Sequence, residues 1–239
     1  AQLESVSLMW MGCSVEVQAY NGSADFILGT DVKRDKAGKR TIKARVTLRQ
    51  WVEKLELEVD VFHKNYPIER LIVAKHLVTP SWKSMKRIRR ERAVVGKLLR
   101  REPTSKQWSF PFARPTKGAV CSIYGLRRFF NGLRRSPHRG VDFRGKTGVP
   151  IYAINAGRVI LVADHFFAGK SVYVDHGAGL ISGYFHLSKA LVPMGATVTK
   201  GQTIGLMGAT GRSTKAHLHL SLYSLGRAID SQPILATKE

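Results

Sequence analysis

The first part of the chain alternates between apolar and polar residues with a period of two. The segments "IKARVTL" (residues 42–48) and "LELEVDV" (residues 55–61) both follow this pattern, which is typical of strands with one covered face. Turn-forming residues separate such segments at "NGS" (residues 21–23) and "DKAGK" (residues 35–39). The pattern predicts short strands with tight connections, and we expect residues 1–78 to form a small N-terminal β-sandwich domain.

The spacing of apolar residues becomes helical after residue 80. A Pro-Ser pair gives a suitable helix start, and the apolar positions that follow are Trp82, Met85, Ile88, Val95 and Leu98. Ten basic residues stand against two acidic ones between residues 83 and 106. We interpret residues 79–106 as a basic helical linker with a solvated charged face and a docked apolar stripe. A helix that binds nucleic acid or a membrane surface is the alternative.

The last part of the chain is rich in glycine and in short strand-like segments. Examples are "VPIYAINAGRVILVA", "KSVYVDHG", "GLISGYFHL" and "TIGLMGATG". Many hairpins with hardly any helix indicate a compact antiparallel sheet or roll. We expect residues 107–239 to form a second domain after the linker, so that the fold class of the whole chain is mainly β.

Charge adds information that the hydrophobic pattern does not carry. Lys and Arg total 39 against 17 acidic residues, a net charge of +22. Such a surface favours polyanions, namely nucleic acid, anionic lipid or anionic cell-wall polymer, and charge alone does not choose among them. The sequence contains no run of about 18 apolar residues, so it does not predict a transmembrane helix. The chain starts at Ala1 without an initiator Met, which suggests a processed mature form.

The two cysteines, Cys13 and Cys121, are too few for a disulfide scaffold or a thiolate zinc site. One bridge or two separate thiols are both compatible with the sequence. We favour two buried thiols, because unpaired cysteine is among the most buried residue types.

Histidines in the last part form a pattern that suggests metal chemistry. In the strand-like "KAHLHLSLY" (residues 215–223), His217 and His219 share one face. An H-x-x-x-D motif supplies His138 and Asp142, and His186 lies in "GYFHLS". Two histidines and one carboxylate form a standard catalytic zinc set with room for water. Spacing alone does not decide whether His217 or His219 would bind the metal.

These segments also carry a family resemblance. "SPHRGVDF", "AINAGRVI", "VDHGAGLISGYFHLS" and "VTKGQTIGLMGATGRSTKAHLHLSLY" resemble the lysostaphin/LytM-type zinc metallopeptidases, which cut peptide bridges in bacterial peptidoglycan. The resemblance covers residues 107–235. More faintly, "KNYPIERLIVAKHLVTPS" is similar to the linker of envelope members with an N-terminal β-domain. The family usually has Gly-Pro before H-L-H, whereas this chain has Lys215-Ala216.

The resemblance implies a role for each of the four histidines and the aspartate named above. It implies one zinc ion per chain, bound by His138, Asp142 and His219, with His186 and His217 acting in catalysis. The C-terminal fold it implies is an antiparallel β-roll of LytM type.

The resemblance also implies an activity and its partners. It implies an exported endopeptidase of the periplasm or cell envelope that cleaves peptidoglycan peptide crosslinks, with D-Ala-to-diaminopimelate crosslinks favoured. We expect anionic envelope polymers as further partners and do not expect nucleic acid. A catalytically silent regulator of another wall hydrolase is the alternative, although such modules lose metal ligands and this sequence keeps them. A basic nucleic-acid-binding protein would explain the charge but not the histidines.

Overall fold

The computed structural model describes residues 2–236, and most of its regular structure is antiparallel sheet. The mainly β fold class is therefore confirmed. The N-terminal part is one sheet with the strand order β2-β1-β3-β4. Its strands are β1 (Leu3–Trp10), β2 (Cys13–Gln18), β3 (Gly38–Leu48) and β4 (Val52–Val61).

The N-terminal part contains this single sheet, so the predicted β-sandwich of two stacked sheets is not formed. Its buried Trp10 and Val17 pack against Phe26 and Leu28 of the long β2–β3 connection, and against Leu225 from the C-terminal part. The connection and the C-terminal part thus occupy the place of a second sheet. Alternation along the chain reports only that a face is apolar, and it does not report what covers that face.

Three elements connect the N-terminal sheet to the rest: β5 (Ile68–Leu71), α1 (Lys75–Val78) and α2 (Trp82–Leu98). The side chain of Ser81 caps α2 by accepting a hydrogen bond from the Ser84 N–H at 3.2 Å. Ile88 is buried, and Val95 packs against the C-terminal core. The prediction that Trp82 belongs to the docked apolar stripe is wrong, because its side chain is 80% exposed. None of the helices within residues 2–236 is both long and apolar enough to span a bilayer.

The C-terminal part contains the larger sheet. Its main strand order is β14-β11-β12-β13-β16-β9-β6, with β15 and β17 paired to strands of this series and β10 paired to β15. A separate small sheet has the order β5-β7-β8. The strands are β6 (Val120–Ser122), β7 (Arg127–Phe130), β8 (Leu133–Arg134), β9 (Val141–Arg144), β10 (Pro150–Tyr152), β11 (Gly157–His165), β12 (Gly169–Gly177), β13 (Leu180–Ala190), β14 (Thr197–Val198), β15 (Thr203–Met207), β16 (His217–Ser224) and β17 (Arg227–Ile229), followed by a 3-10 turn at Gln232–Ile234.

The two faces of β16, at the centre of this sheet, carry different side chains. Leu218, Leu220 and Leu222 point from β16 into the main core and are fully buried. The opposite face of the same strand carries His217 and His219. Because β16 lies between β13 and β9, side chains from three neighbouring strands converge beside these histidines.

The long β2–β3 connection docks on the C-terminal part near this histidine face. Asp31, which is fully buried, forms an ion pair with Arg139. The Tyr124 hydroxyl accepts a hydrogen bond from the Val32 N–H at 2.9 Å and donates to the Ala228 carbonyl at 2.7 Å. The N-terminal sheet is thus held to the segment that carries His138.

Candidate metal centre and active-site groove

Strand register brings the proposed metal ligands together. Strands β16 and β9 pair so that His219 lies opposite Asp142, and His138 lies in the segment that leads into β9. Asp142 Oδ1 is 2.7 Å from His219 Nδ1 and 3.0 Å from His138 Nε2. The two ring nitrogens are 2.9 Å apart. Two motifs far apart in the chain therefore form one tight cluster of donor atoms.

Hydrogen bonds on the outer side of each ring fix its tautomer. His138 Nδ1 lies 2.7 Å from the Ile123 carbonyl, which only accepts, so this nitrogen carries the proton. His219 Nε2 lies 2.9 Å from Ser221 Oγ, and that hydroxyl donates to the Arg139 carbonyl. His219 Nε2 therefore donates to Ser221. The nitrogens that face the cluster are left with lone pairs.

Two imidazole lone pairs and a carboxylate oxygen consequently face one another at 2.7–3.0 Å. Three acceptors at such distances repel each other unless a cation lies among them. Neutral imidazoles whose outer nitrogens hydrogen-bond to protein, together with one carboxylate, match the ligand chemistry of zinc. The residues present therefore fit a divalent metal ion.

The protonation states agree with this arrangement. Burial opposes ionisation of Asp142, but the adjoining His219 and His138 hold the pKa of its carboxyl well below the usual range. Burial lowers the pKa of His219 to about 4 against the opposing effect of Asp142. At neutral pH the cluster is thus a carboxylate with neutral imidazole beside it, the form that binds a metal.

His186 and His217 lie together beside this cluster, with ring centroids 4.7 Å apart. His186 Nδ1 donates to the Thr210 carbonyl at 2.8 Å, and His217 Nδ1 donates to the Lys215 carbonyl at 2.8 Å. In both rings Nε2 is therefore the free nitrogen, and that of His217 is 3.9 Å from Asp142 Oδ1. Burial, followed by the neighbouring His217 and His219, lowers the pKa of His186 to about 3, which keeps this ring neutral.

The backbone at His186 has an unusual conformation that the sequence does not signal. Its φ is +62°, a region that residues with a side chain seldom adopt. The pairing of β13 with β12 shifts register at this point. As a result, the adjacent Phe185 and His186 both line the same groove, although neighbours in a regular strand face opposite ways. Strain of this kind is found mostly at functional sites.

A second group of residues, Arg128 and Glu69, contacts the cluster from outside. Arg128 donates to Asp142 Oδ2 at 2.7 Å, to Glu69 Oε2 at 2.6 Å and to Ser122 Oγ at 3.0 Å. Arg128 belongs to the basic segment that precedes His138, and it reaches Asp142 directly. Glu69 comes from β5, in the segment that resembles a family linker, and that resemblance gave it no role at the site.

The cluster opens into a groove of about 730 Å³. Its walls include Phe130 from β7, Phe167 from the β11–β12 turn, and Arg212 and Lys215 from the segment before β16. Cys121 also lines it and is exposed, so the expectation of two buried thiols is wrong for this residue; both cysteines are free.

Three further polar side chains of the C-terminal part lie outside the groove. Tyr184 is fully buried, and its hydroxyl accepts hydrogen bonds from the Ile154 N–H and the Ser182 hydroxyl. His176 is fully buried and contacts the Ala156 carbonyl and Ser182. His165 is buried beside Tyr173. These groups stabilise the fold and do not belong to the site.

Comparison with known proteins agrees with this geometry. The sequence profile of peptidase family M23 matches residues 136–231. The chain is 30% identical to a Pseudomonas aeruginosa protein assigned to peptidase M23, whose crystal structure superposes with a TM-score of 0.71 over 95% of this chain and 86% of that one.

Two curated relatives have stated activities. The peptidoglycan DD-endopeptidase ShyA of Vibrio cholerae is 39% identical over 117 residues, which are 48% of this chain and 27% of ShyA. Lysostaphin of Staphylococcus simulans is 34% identical over 118 residues, which are 47% of this chain and 24% of lysostaphin. The chain thus spans about a quarter of the length of these curated relatives.

Proposed function

Because the chain belongs to peptidase family M23, we propose that it is a zinc-dependent endopeptidase that hydrolyses peptide bonds of bacterial peptidoglycan. The favoured substrate is the D-Ala-to-diaminopimelate crosslink, since the relative ShyA is a peptidoglycan DD-endopeptidase. Its place of action would be the periplasm or cell envelope, where this polymer lies.

One observation carries the proposal: the lone pairs of His138 and His219 converge with the carboxylate of Asp142 at 2.7–3.0 Å. A module that only regulates another hydrolase has no need of this set. We assign zinc to these three side chains. Zinc held there would supply Lewis-acid activation of a water molecule and of the peptide carbonyl.

His217 is the proposed general base. The Lys215 carbonyl holds its Nδ1–H, so the unprotonated Nε2 faces the ligand cluster. A nitrogen in this state accepts a proton from the attacking water and can return it to the leaving amine. The Lys215-Ala216 departure from the usual Gly-Pro leaves this orientation intact, because the contact is made by a backbone carbonyl.

His186 would stabilise charge on the other side of the reacting carbonyl. Its Nδ1–H is bound by the Thr210 carbonyl, so its neutral ring offers only a lone pair at Nε2. It can donate a hydrogen bond to a developing oxyanion only after it has gained a proton, and the negative charge of that oxyanion would raise the pKa of the ring from its low resting value. We therefore propose that His186 and His217 share the proton that comes from water, and that the ring bearing it acts as the donor.

All five of these residues lie in residues 107–239, the proposed peptidase domain. Residues 1–78 and 79–106 remain the proposed N-terminal domain and linker. The division leaves Glu69 outside the peptidase domain, although it is bound to Arg128 at 2.6 Å beside Asp142.

The test is digestion of purified peptidoglycan, with the released fragments identified by mass spectrometry. We expect new ends at D-Ala-to-diaminopimelate crosslinks, and about one zinc per chain by elemental analysis. Chelation should stop the digestion, and added zinc should restore it. A zinc-loaded protein that releases no fragments would exclude the proposed activity, and cleavage at other bonds would exclude the favoured substrate.

A further inference from the structure

Arg212 stands out in the groove as a positioned cation. Its guanidinium lies between two aromatic rings, 4.6 Å from the centroid of Phe130 and 4.4 Å from that of Phe167. Within residues 2–236 the guanidinium makes no hydrogen bond and no ion pair with a carboxylate. Its hydrogen-bond donors therefore stay available in a groove that also contains the proposed metal ligands.

The backbone around Arg212 is held as well. Its N–H donates to the Phe167 carbonyl at 2.8 Å, and the nearby Thr210 carbonyl accepts from His186. The residue thus belongs to the same short segment that orients a proposed catalytic histidine. Because the rings and the backbone already fix the Arg212 side chain, this side chain would lose little conformational entropy when a ligand binds.

The charges of the groove favour an anion. Its two acidic side chains, Glu69 and Asp142, are both engaged by Arg128, whereas Arg212, Lys215 and Arg144 line the groove without an acidic partner within residues 2–236. Burial, followed by repulsion from Arg128, Arg135 and Arg92, lowers the pKa of Arg212 to about 10. Arg212 therefore remains charged at neutral pH, in a region of positive potential.

We propose that Arg212 is a specificity-determining residue that pairs with a free carboxylate of the peptide substrate close to the scissile bond. A planar guanidinium binds a carboxylate through two parallel hydrogen bonds, and its two aromatic neighbours leave the edge with the donors open. Within the proposed function, this selects stem peptides with a free carboxylate over uncharged bridges such as glycine chains.

Binding to uncleavable ligands tests the proposal apart from catalysis. Two synthetic stem tetrapeptides without the scissile bond would be compared by calorimetry, one with the diaminopimelate carboxylate free and one with it amidated. We expect the wild-type protein to bind the free form about tenfold or more tightly, the ratio that one charge-assisted contact gives. Equal binding of both forms by the wild-type protein would overturn the proposal, whatever its activity.

Three variants separate recognition from structural support. Arg212→Gln should bind both tetrapeptides alike and keep the weaker affinity of the amidated form, while Arg212→Lys should keep part of the preference. Arg158→Gln, which removes an exposed charge on β11 away from the groove, should behave like the wild type. A uniform loss of binding for both tetrapeptides in Arg212→Gln would mean that Arg212 only supports the groove.

Hydrolysis of the matching crosslinked peptides should follow the same order in kcat/KM. Cleavage of both crosslinked peptides at equal rates by the wild-type protein would remove Arg212 as a specificity determinant and leave the endopeptidase activity intact. Absence of any cleavage, in these peptides and in purified peptidoglycan, would instead count against the proposed function, while the calorimetric result would still decide the role of Arg212.

Discussion

The N-terminal and C-terminal sheets are both antiparallel, yet their strands differ in how far their side chains are buried. In the C-terminal sheet, Leu220 of β16 is fully buried and the opposite face of that strand carries partnered histidines, whereas Leu57 of β4 in the N-terminal sheet is 60% exposed. Polar side chains that are mostly buried, as these histidines are, need hydrogen-bond partners. Such partners fix side-chain orientation, which suits the C-terminal sheet to holding the proposed metal ligands.

The largest effect is expected from removing a ligand inside the C-terminal sheet. Asp142→Ala should abolish both metal binding and activity, because it removes the only carboxylate of the donor set and leaves Arg128 without that partner. Asp60→Ala, on the exposed side of β4, should leave both unchanged. Elemental analysis and peptidoglycan digestion measure the two outcomes. A fully active Asp142→Ala protein would refute the metal site.

Substitutions of the two proposed catalytic histidines should separate chemistry from metal binding within the same sheet. His186→Ala and His217→Ala should retain the metal and lose turnover by about 10²–10⁴-fold, the usual contribution of acid–base groups. His63→Ala, an exposed histidine after β4, serves as the control. If His217→Ala loses the metal while His219→Ala keeps it, the roles of these two residues are exchanged.

The sequence was informative where a functional group depends on local spacing. The H-x-H pair and the H-x-x-x-D pair each lie in or next to a strand, so strand periodicity and metal chemistry are enough to group these four side chains as candidates. The choice of His219 over His217 as the ligand came from the family resemblance. The period of two likewise predicted a mainly β fold. These features need only the direction in which a side chain leaves its own strand.

Other features depend on contacts between distant segments, and spacing does not contain them. Glu69 reaches Arg128 only because β5 pairs in parallel with β7. The positive φ of His186 carries no glycine or other signal in the sequence. The alternation of the N-terminal strands predicts a sandwich, and this prediction fails. The pattern does not reveal that a loop with Phe26 and Leu28 provides the covering layer.

Substitutions of one leucine in each sheet should measure how differently the two sheets bury their apolar side chains. Leu220→Ala should lower the free energy of unfolding by about 2–5 kcal/mol, because the main core of the C-terminal sheet cannot fill the cavity completely. Leu57→Ala should change it by about 0.5 kcal/mol or less, because that side chain stays mostly in water. Urea unfolding followed by circular dichroism measures both values. Equal losses would mean that another molecule or segment covers β4 in solution.

The smallest effect on chemistry is expected from the basic helix α2 between the two sheets. Part of its charge serves the structure: Arg87 donates to Glu91 at 2.6 Å and to the Asp164 carbonyl at 2.7 Å, and Glu91 accepts from the Phe166 N–H beside the groove. Other basic residues of α2 are exposed and without ion pairs within residues 2–236, namely Lys83, Lys86, Arg89 and Arg90. These four are free to attract an anionic cell wall over a distance.

Replacing those four residues by glutamine should weaken adsorption to intact wall material and leave turnover of a short uncharged peptide almost unchanged. Attraction between exposed charges is screened over a Debye length of about 8 Å at 0.15 M ionic strength, so added salt should mimic the substitutions. The control removes the same charge from the N-terminal part, at Lys33, Arg45, Arg49 and Lys54. The helix variant should adsorb less than the control, because its charges are clustered and their potentials add. Equal losses would show that only net charge matters, and a loss of short-peptide cleavage in the helix variant would mean that α2 is part of the catalytic apparatus.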